Sequence, residues 1–240
     1  MDKWNNSTYF KKGDKRDPSN YTGITLLSSM AKIFSLFLRN RLNAWCEKEH
    51  VFNDSQYGFQ DKRSTEDCAF SLYNIIPNML ASKQKLYCAF IDYKTCFDSI
   101  SINNLWIKLV KSEISCKCLS MLQSLYARVS SCVRLSSEGQ LLDYMCFKVG
   151  LGLKQGEPLS PILFLLFVNG IRDSIDFNNL TENDMNMLSI VLLLFVDDLA
   201  LFATDKHSLQ AQLDSIHLYS TRWGLTINVA KTKMCVFKTR

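Results

Sequence analysis

The 240-residue chain is 47% hydrophobic and 21% charged, which excludes a disordered chain and is typical of one large domain or two small lobes. Residues 1–6 lack the apolar core of a signal peptide, so we expect an intracellular protein, nuclear or cytoplasmic. The nine cysteines are an odd number and include no Cys-x-x-Cys pair. They are therefore predicted to be free thiols in a reducing compartment, and a zinc site is disfavoured.

The net charge of +5 is distributed unevenly along the chain. Residues 1–63 carry 11 basic and 7 acidic side chains (+4), residues 64–205 carry 11 and 15 (−4), and residues 206–240 carry 6 and 1 (+5). Basic flanks around an acidic centre suit a metal-binding region bordered by surfaces that meet a polyanion. Ordinary solvated surfaces would give the same distribution, so charge alone does not decide between the two.

The first half of the chain is predicted to be mainly helical, because its apolar residues recur at spacings of three and four. The predicted helices cover residues 26–45, 65–81, 101–112 and 114–127. Ser64 or Thr65 would cap the second of these helices. Residues 11–18 are predicted to be a charged turn region, and residues 86–92 a short buried strand.

The second half is predicted to combine hairpins with helices. The predicted strands are residues 131–135, 144–149, 190–196, 199–204 and 233–237, and the predicted helices are residues 158–171 and a segment that Asp205 caps and Gly224 ends. The strict alternation of strand and helix in a doubly wound sheet is absent. We therefore predict an α+β fold with an antiparallel sheet backed by helices.

The apolar stretch from Met187 to Ala203 raises the question of a membrane span. It contains Asp197 and Asp198, and each aspartate would cost about 2.5–3.5 kcal/mol at the centre of a bilayer. We therefore expect no association with a membrane.

Three aspartates close apolar runs in this sequence. Asp197 and Asp198 follow the run that begins at Ile190, and Asp92 follows the run that begins at Leu86. Adjacent carboxylates at the end of a buried strand repel each other unless a cation neutralises them. Mg²⁺ takes hard oxygen ligands and usually brings phosphates, so the pattern predicts a two-metal phosphoryl-transfer site. An exposed turn is the alternative, since aspartate favours turns.

A glycine-rich segment, residues 150–161, joins a predicted strand to a predicted helix. Its glycines allow the backbone to approach a ligand closely, and Gln155 can form hydrogen bonds without adding charge. A helix N-terminus nearby favours phosphate. The Gly-Lys-Ser/Thr sequence of a P-loop is absent, and a glycine loop alone would be uninformative.

Taken together and in order, these motifs resemble the reverse transcriptase domain of non-LTR (LINE-type) retrotransposons over about residues 9–238. Besides the two aspartate motifs and the glutamine–glycine motif, the resemblance is carried by residues 11–28, 56–65 and 224–233. It implies the right-hand fold of polymerases, with fingers at residues 1–85, a palm at residues 86–240 and a hairpin insertion at about 129–149. The thumb is expected to be missing.

The resemblance also implies an RNA-directed DNA polymerase that adds dNTPs to a primer 3′-hydroxyl by two-metal phosphoryl transfer. Its partners would be an RNA template, a DNA primer and dNTPs, and its cofactor two Mg²⁺ ions, with Mn²⁺ as an alternative. The implied roles are metal ligation by Asp92, Asp197 and Asp198, proton donation to pyrophosphate by Lys231 or Lys233, a steric gate at Phe97, and nucleotide contacts from Arg63, Gln155 and Gly156.

Four residues depart from the pattern of that family. Thr22 and Gln60 stand where the family usually has arginine, and Cys96 and Val196 stand where it has alanine or a similarly small residue. A catalytically inactive retroelement remnant that at most binds nucleic acid is therefore the first alternative. A second, a nucleotide cyclase, would need a Gly-Gly-acid signature that the sequence lacks. The sequence gives no indication of the oligomeric state.

Overall fold

A computed structural model describes residues 3–10, 12–17, 20–127, 130–137, 140–175 and 192–239. Backbone contacts divide the chain into two compact units. The first unit comprises Met1–Glu49 with Ile100–Leu166, and the second comprises His50–Ser99 with Phe167–Arg240. Each unit is thus built from two separate stretches of chain. The division into fingers and palm near residue 85 stays a prediction.

The described residues form eight strands and seven α-helices. The strands are β1 (Lys3–Phe10), β2 (Tyr21–Leu26), β3 (Leu86–Ile91), β4 (Ser130–Ser137), β5 (Gln140–Lys148), β6 (Leu192–Phe195), β7 (Asp198–Ala203) and β8 (Lys233–Phe237). The helices are α1 (Ser29–Lys48), α2 (Thr65–Ala81), α3 (Cys96–Ser99), α4 (Ile102–Lys111), α5 (Cys116–Ala127), α6 (Ser160–Val168) and α7 (Lys206–Trp223), and a 3₁₀ turn at Asn169–Ser174 follows α6. The α+β class is confirmed.

The first unit contains a four-stranded sheet in the order β2-β1-β4-β5. β1 pairs antiparallel with β2 and parallel with β4, and β4 and β5 form the predicted hairpin. The charged turn predicted at residues 11–18 is observed where it is described, over residues 12–17, whereas β1 and β2 on either side of it were not predicted. β1 reads Lys-Trp-Asn-Asn-Ser-Thr-Tyr-Phe, which lacks apolar alternation, and it pairs with a strand far away in sequence. Context of this kind decides strand formation more than local composition does.

The second unit contains an entirely antiparallel sheet in the order β6-β7-β3-β8. One face of this sheet is covered by α2, and the buried residues of this core are Met79, Leu86, Cys88, Leu193 and Phe202. Side chains alternate between the faces of a strand, so Leu86, Cys88 and Phe90 of β3 share the α2 face. Continuing the alternation by two residues assigns Asp92 to the same face. The predicted antiparallel sheet backed by helices is confirmed.

Several helix ends follow from single polar residues. Ser64, one of two predicted caps, begins α2 with a reciprocal capping box, in which its Oγ accepts from the Asp67 backbone N–H and its own N–H donates to Asp67. Asp205 caps α7 by accepting from the backbone N–H groups of His207 and Ser208, and Gly224 ends α7 at a φ of +77°. These cap predictions at Asp205 and Gly224 are confirmed.

All seven cysteines whose side chains the structure describes are free thiols, whereas the side chains of Cys132 and Cys146 lie outside the described part. Among the described helices, none is both long and apolar enough to cross a membrane. The apolar stretch that begins at Met187 forms β6 and β7 where it is described.

Candidate functional site

The antiparallel register of β3 and β7 brings Asp92 and Asp198 to neighbouring positions. Ile91, the last residue of β3, pairs with Leu199 of β7. One further step along the same register assigns Asp92 to the position opposite Asp198, where directly opposite residues have Cβ atoms about 4.5–5.5 Å apart. Residues separated by more than a hundred positions in sequence therefore meet at one end of the sheet.

Asp197 belongs to a two-residue turn between β6 and β7. Phe195 pairs with Asp198, so Val196 and Asp197 are the two central residues of the hairpin. Val196 has a φ of +60°, a conformation in which hairpin turns normally use glycine and which is strained for a β-branched residue. The predicted strands, residues 190–196 and 199–204, leave both aspartates in the connection between them, and this needs one correction, because Asp198 is already the first residue of β7.

A short segment before α2 holds this strained turn in place. The Oε1 atom of Gln56, a buried side chain, accepts from the backbone N–H groups of Val196 (3.1 Å) and Gly58 (2.8 Å). The Tyr57 N–H donates to the Leu194 carbonyl oxygen at 2.8 Å. A Cβ on Gly58 would lie 2.6 Å from the Val196 nitrogen, so only glycine fits beneath the turn.

Replacing Gly58 with alanine is expected to lower the free energy of unfolding by about 1–3 kcal/mol, the usual cost of overpacking. The added methyl group would meet the backbone of Val196 rather than a flexible side chain. Chemical denaturation measures the loss. Gly23→Ala is the matched control, since a Cβ there meets nothing within 4 Å. Equal stabilities of the two variants would contradict the close packing at Gly58.

The electrostatic field at this end of the sheet is negative. Burial, followed by repulsion from Asp198 and Asp92, raises the pKa of Asp197 above its usual value. Burial and repulsion from Asp92 likewise raise the pKa of Asp198. The neighbouring Cys96 thiol is buried, and its pKa is raised strongly by burial and then by the charges of Asp197, Asp92 and Asp98. Such mutual repulsion is relieved when a cation binds.

Asp92 is held by the segment that follows α7. Asn228 Nδ2 donates to Asp92 Oδ2 at 2.8 Å, and the Asn228 backbone N–H donates to the Asp92 carbonyl oxygen at 2.7 Å. Lys231 Nζ lies 3.5 Å from the same Oδ2, with 70% of its side chain exposed. An ion pair this exposed adds little stability. Of the two candidate lysines, Lys231 is the one paired with Asp92, whereas Lys233 begins β8.

The carboxylates have the chemistry of a magnesium site. They offer hard oxygen atoms whose mutual repulsion a divalent cation would neutralise. In the part of the chain that the structure describes, no three His, Cys, Asp or Glu side chains form a group that could hold a metal ion by themselves. Mg²⁺ is commonly held by one or two carboxylates together with substrate phosphates and water, so the donor set fits that ion.

A cavity of about 660 Å³ lies in the second unit beside Asp92, Asp198 and Lys231. Most of its lining is apolar and includes Phe90 and Leu72. The carboxylates and the lysine therefore line a mainly apolar depression. Phe97, the predicted steric gate, is a half-buried residue of the short helix α3.

Arg63 and Gln60 both contact the backbone of the Gln56 segment. Arg63 Nη1 and Gln60 Nε2 donate to the Gln56 carbonyl oxygen at 3.1 and 2.7 Å. The Arg63 guanidinium also pairs with Asp54 at 2.8 Å and lies 5.4 Å from the centre of the Tyr57 ring. Gln60, which stands where the family usually has arginine, therefore forms a hydrogen bond to a nearby backbone carbonyl group. The side chain of Thr22 lies outside the described part.

Gln155 and Gly156 belong to the first unit, in the loop before α6. The Gln155 carbonyl oxygen accepts from the Thr25 N–H at 2.8 Å, and Gly156 has a φ of +97°. The adjacent Glu157 is 2% exposed. Its carboxylate accepts hydrogen bonds from the hydroxyl groups of Ser35, Tyr126 and Ser160, at 3.3, 3.2 and 3.4 Å. The loop is therefore anchored by a buried carboxylate.

Sequence reasoning identified the carboxylates but missed the residues that hold them. Gln56, Gly58 and Asn228 lie within the segments that carry the family resemblance, yet the sequence alone gives them no role. Gln56 and Gly58 flank an aromatic residue, but this pattern alone does not predict that they contact the backbone of the turn. Asn228 stands three residues before Lys231, a spacing typical of a turn.

The family described as reverse transcriptase (RNA-dependent DNA polymerase) matches residues 10–239. A probable RNA-directed DNA polymerase from transposon BS of Drosophila melanogaster is 26% identical and matches 91% of this chain and 24% of its own length. The Pol polyprotein of the type-1 retrotransposable element R2 of Popillia japonica is 23% identical, with 92% and 30% covered. The chain spans about a quarter of the length of the curated relatives it matches.

Solved structures with the same fold include two telomerases. The apo telomerase from Candida tropicalis, truncated from its C-terminal domain, has a TM-score of 0.67 and 19% identity, with 98% of this chain and 51% of that chain covered. The telomerase from the same organism in complex with a fragment of telomeric RNA has a TM-score of 0.67 and 16% identity, with 97% and 41% covered. At these identities the likeness concerns the fold.

Proposed function

This chain belongs to the reverse transcriptase (RNA-dependent DNA polymerase) family, and from that premise we propose that it adds dNTPs to the 3′-hydroxyl of a DNA primer on an RNA template. The relatives with named activities are RNA-directed DNA polymerases of mobile elements. Reverse transcriptases in general use divalent metal ions, and we propose two Mg²⁺ ions here, with Mn²⁺ as a substitute.

The observation that carries the proposal is the register that brings Asp92 opposite Asp198, with Asp197 in the adjoining turn. Acids this close repel one another, as the raised pKa values of Asp197 and Asp198 indicate. Such repulsion does not stabilise the folded state unless a cation is bound. Together with the exposed Lys231 at 3.5 Å from Asp92, the carboxylates form a set suited to phosphoryl transfer.

In the proposed mechanism Asp92 and Asp197 would hold the two ions, with Asp198 beside them. The ions would supply the acidity that activates the primer hydroxyl and the positive charge that stabilises the departing pyrophosphate. Lys231 would donate a proton to that pyrophosphate. Its exposure leaves the ammonium group free to move from Asp92 toward a substrate, because a weak ion pair is easily exchanged.

We further propose nucleotide contacts for two residues of the second unit and, separately, for two residues of the first unit. Arg63 would pair with the triphosphate after exchanging Asp54 for a phosphate oxygen, since arginine binds both in a forked geometry. Phe97 would exclude a 2′-hydroxyl and so favour deoxynucleotides. Gln155 and Gly156 would contact the nucleotide through an uncharged amide and an exposed backbone.

Primer extension tests the proposal directly. The 240-residue chain is incubated with a labelled DNA primer on an RNA template, all four dNTPs and Mg²⁺, and the product lengths are read on a gel. We expect stepwise extension that requires the complementary dNTP and stops when the metal is chelated. Salt-dependent RNA binding without any extension would contradict the proposed activity and would favour the inactive remnant.

A further inference from the structure

We propose that Asn228 is a positioning residue that fixes the Asp92 carboxylate for metal binding, an inference that rests on the proposed function. No role for this asparagine follows from the sequence motifs. The proposal is carried by the hydrogen bonds that join Asn228 to both the side chain and the backbone of Asp92.

Two donors converge on a single oxygen of Asp92. Asn228 Nδ2 lies 2.8 Å and Lys231 Nζ 3.5 Å from Oδ2. Among the residues that the structure describes, none donates a hydrogen bond to Oδ1. The carboxylate is therefore held by one oxygen and presents the other. A carboxylate with a fixed rotation needs less ordering when a cation binds at the remaining oxygen.

The neutral amide and the lysine differ in a way that matters for catalysis. The positive charge of Lys231 competes with a metal ion for Asp92, and Lys231 must leave Asp92 to act as a proton donor. Asn228 brings no charge, is half-buried, and is tied to Asp92 through its backbone N–H as well. It can therefore keep Asp92 oriented while the lysine moves.

Asn228 also organises the turn that carries Lys231. Its carbonyl oxygen accepts from the backbone N–H groups of Lys231 (3.1 Å) and Thr232 (2.9 Å). One residue thus links the orientation of a metal ligand to the position of the proposed proton donor. Such outer partners of ligating groups commonly change metal affinity when they are replaced.

Direct binding of Mn²⁺ to the purified chain, followed by electron paramagnetic resonance, tests the role of Asn228. We expect Asn228→Ala to weaken Mn²⁺ binding by roughly ten- to a hundred-fold, the usual effect of removing an outer partner of a ligand. In primer extension the variant should need correspondingly more Mg²⁺, and excess Mg²⁺ should restore its rate. If the role of Asn228 were purely structural, Asn228→Ala would change the midpoint of thermal unfolding, and excess Mg²⁺ would not restore the extension rate.

Asn78→Ala, on the exposed side of α2, is the matched control and should bind Mn²⁺ like the unchanged chain. The proposal would be overturned if Asn228→Ala bound Mn²⁺ with an affinity within two-fold of the unchanged chain. It would also be overturned if Mn²⁺ binding to the unchanged chain did not depend on Asp92. Weakened binding by Asn228→Ala in a chain that does not extend primers would support the role of Asn228 and contradict the polymerase activity. Failure of the proposed role of Asn228 can therefore be distinguished from failure of the proposed polymerase activity.

Discussion

Replacing Asp197 with asparagine is expected to abolish primer extension while making the protein more stable. Asparagine keeps the size of the side chain but removes a charge that burial and two neighbouring carboxylates disfavour. Loss of a metal ligand should slow extension by at least about a thousand-fold, which corresponds to about 4 kcal/mol in activation free energy. Relief of repulsion should raise the free energy of unfolding by roughly 0.5–2 kcal/mol. Single-turnover extension and urea denaturation measure the two effects.

Asp214→Asn on the exposed side of α7 is the control for this experiment. It removes one negative charge from the same unit without touching the proposed site, so extension should be unchanged. Extension by Asp197→Asn above about a tenth of the original rate would contradict the role of Asp197, because the lost ligand would then be worth less than about 1.4 kcal/mol. Destabilisation by this substitution would contradict the argument from repulsion.

The sequence predicted those elements whose formation depends on local signals. The second helix was predicted over residues 65–81 and is observed over Thr65–Ala81, because the capping box at Ser64 and the apolar spacing both act within a few residues. The last strand, Lys233–Phe237, was also predicted with the observed bounds. Local propensity and tertiary structure agree at these places.

The elements that were missed depend on partners distant in sequence. β1 has a polar composition and is stabilised by pairing with β2 and β4, which no local pattern reveals. The same limit applies to the site. The aspartates could be identified from apolar runs that end in charge, whereas the contact of Asn228 with Asp92 spans 136 residues. Hydrogen bonds of this kind depend on how segments distant in sequence pack together.

The first unit contains a buried pair of opposite charges, Glu157 and Lys154, which the sequence does not reveal. Glu157 and Lys154 are 2% and 6% exposed. Burial raises the pKa of Glu157, and the charge of Lys154 together with three hydroxyl donors counteracts this. Burial lowers the pKa of Lys154 to about 7, against the influence of Glu157. Each charge is tolerated because of the other.

Replacing Glu157 with glutamine is therefore expected to lower the free energy of unfolding by about 3–5 kcal/mol near pH 6, the usual cost of leaving a buried charge without its partner. Urea denaturation measures this loss. Adding Lys154→Met should recover much of it, because the double variant buries no charge. A double variant as unstable as Glu157→Gln alone would show that the hydroxyl bonds to Glu157, and not its charge, stabilise the loop.

The pH dependence of Glu157→Gln gives an independent test with a definite sign. Without the carboxylate, Lys154 should lose its proton in the folded state at a lower pH than in the unfolded state, so the unfolded state binds more protons above that pH. Stability of the variant should then rise with pH. In the original chain Glu157 keeps the pKa of Lys154 at about 7, so the same rise begins only near pH 7. The difference in unfolding free energy should therefore narrow as the pH rises toward 7 and stay constant above it, and a difference that is also constant below pH 7 would contradict the electrostatic coupling of Lys154 to Glu157.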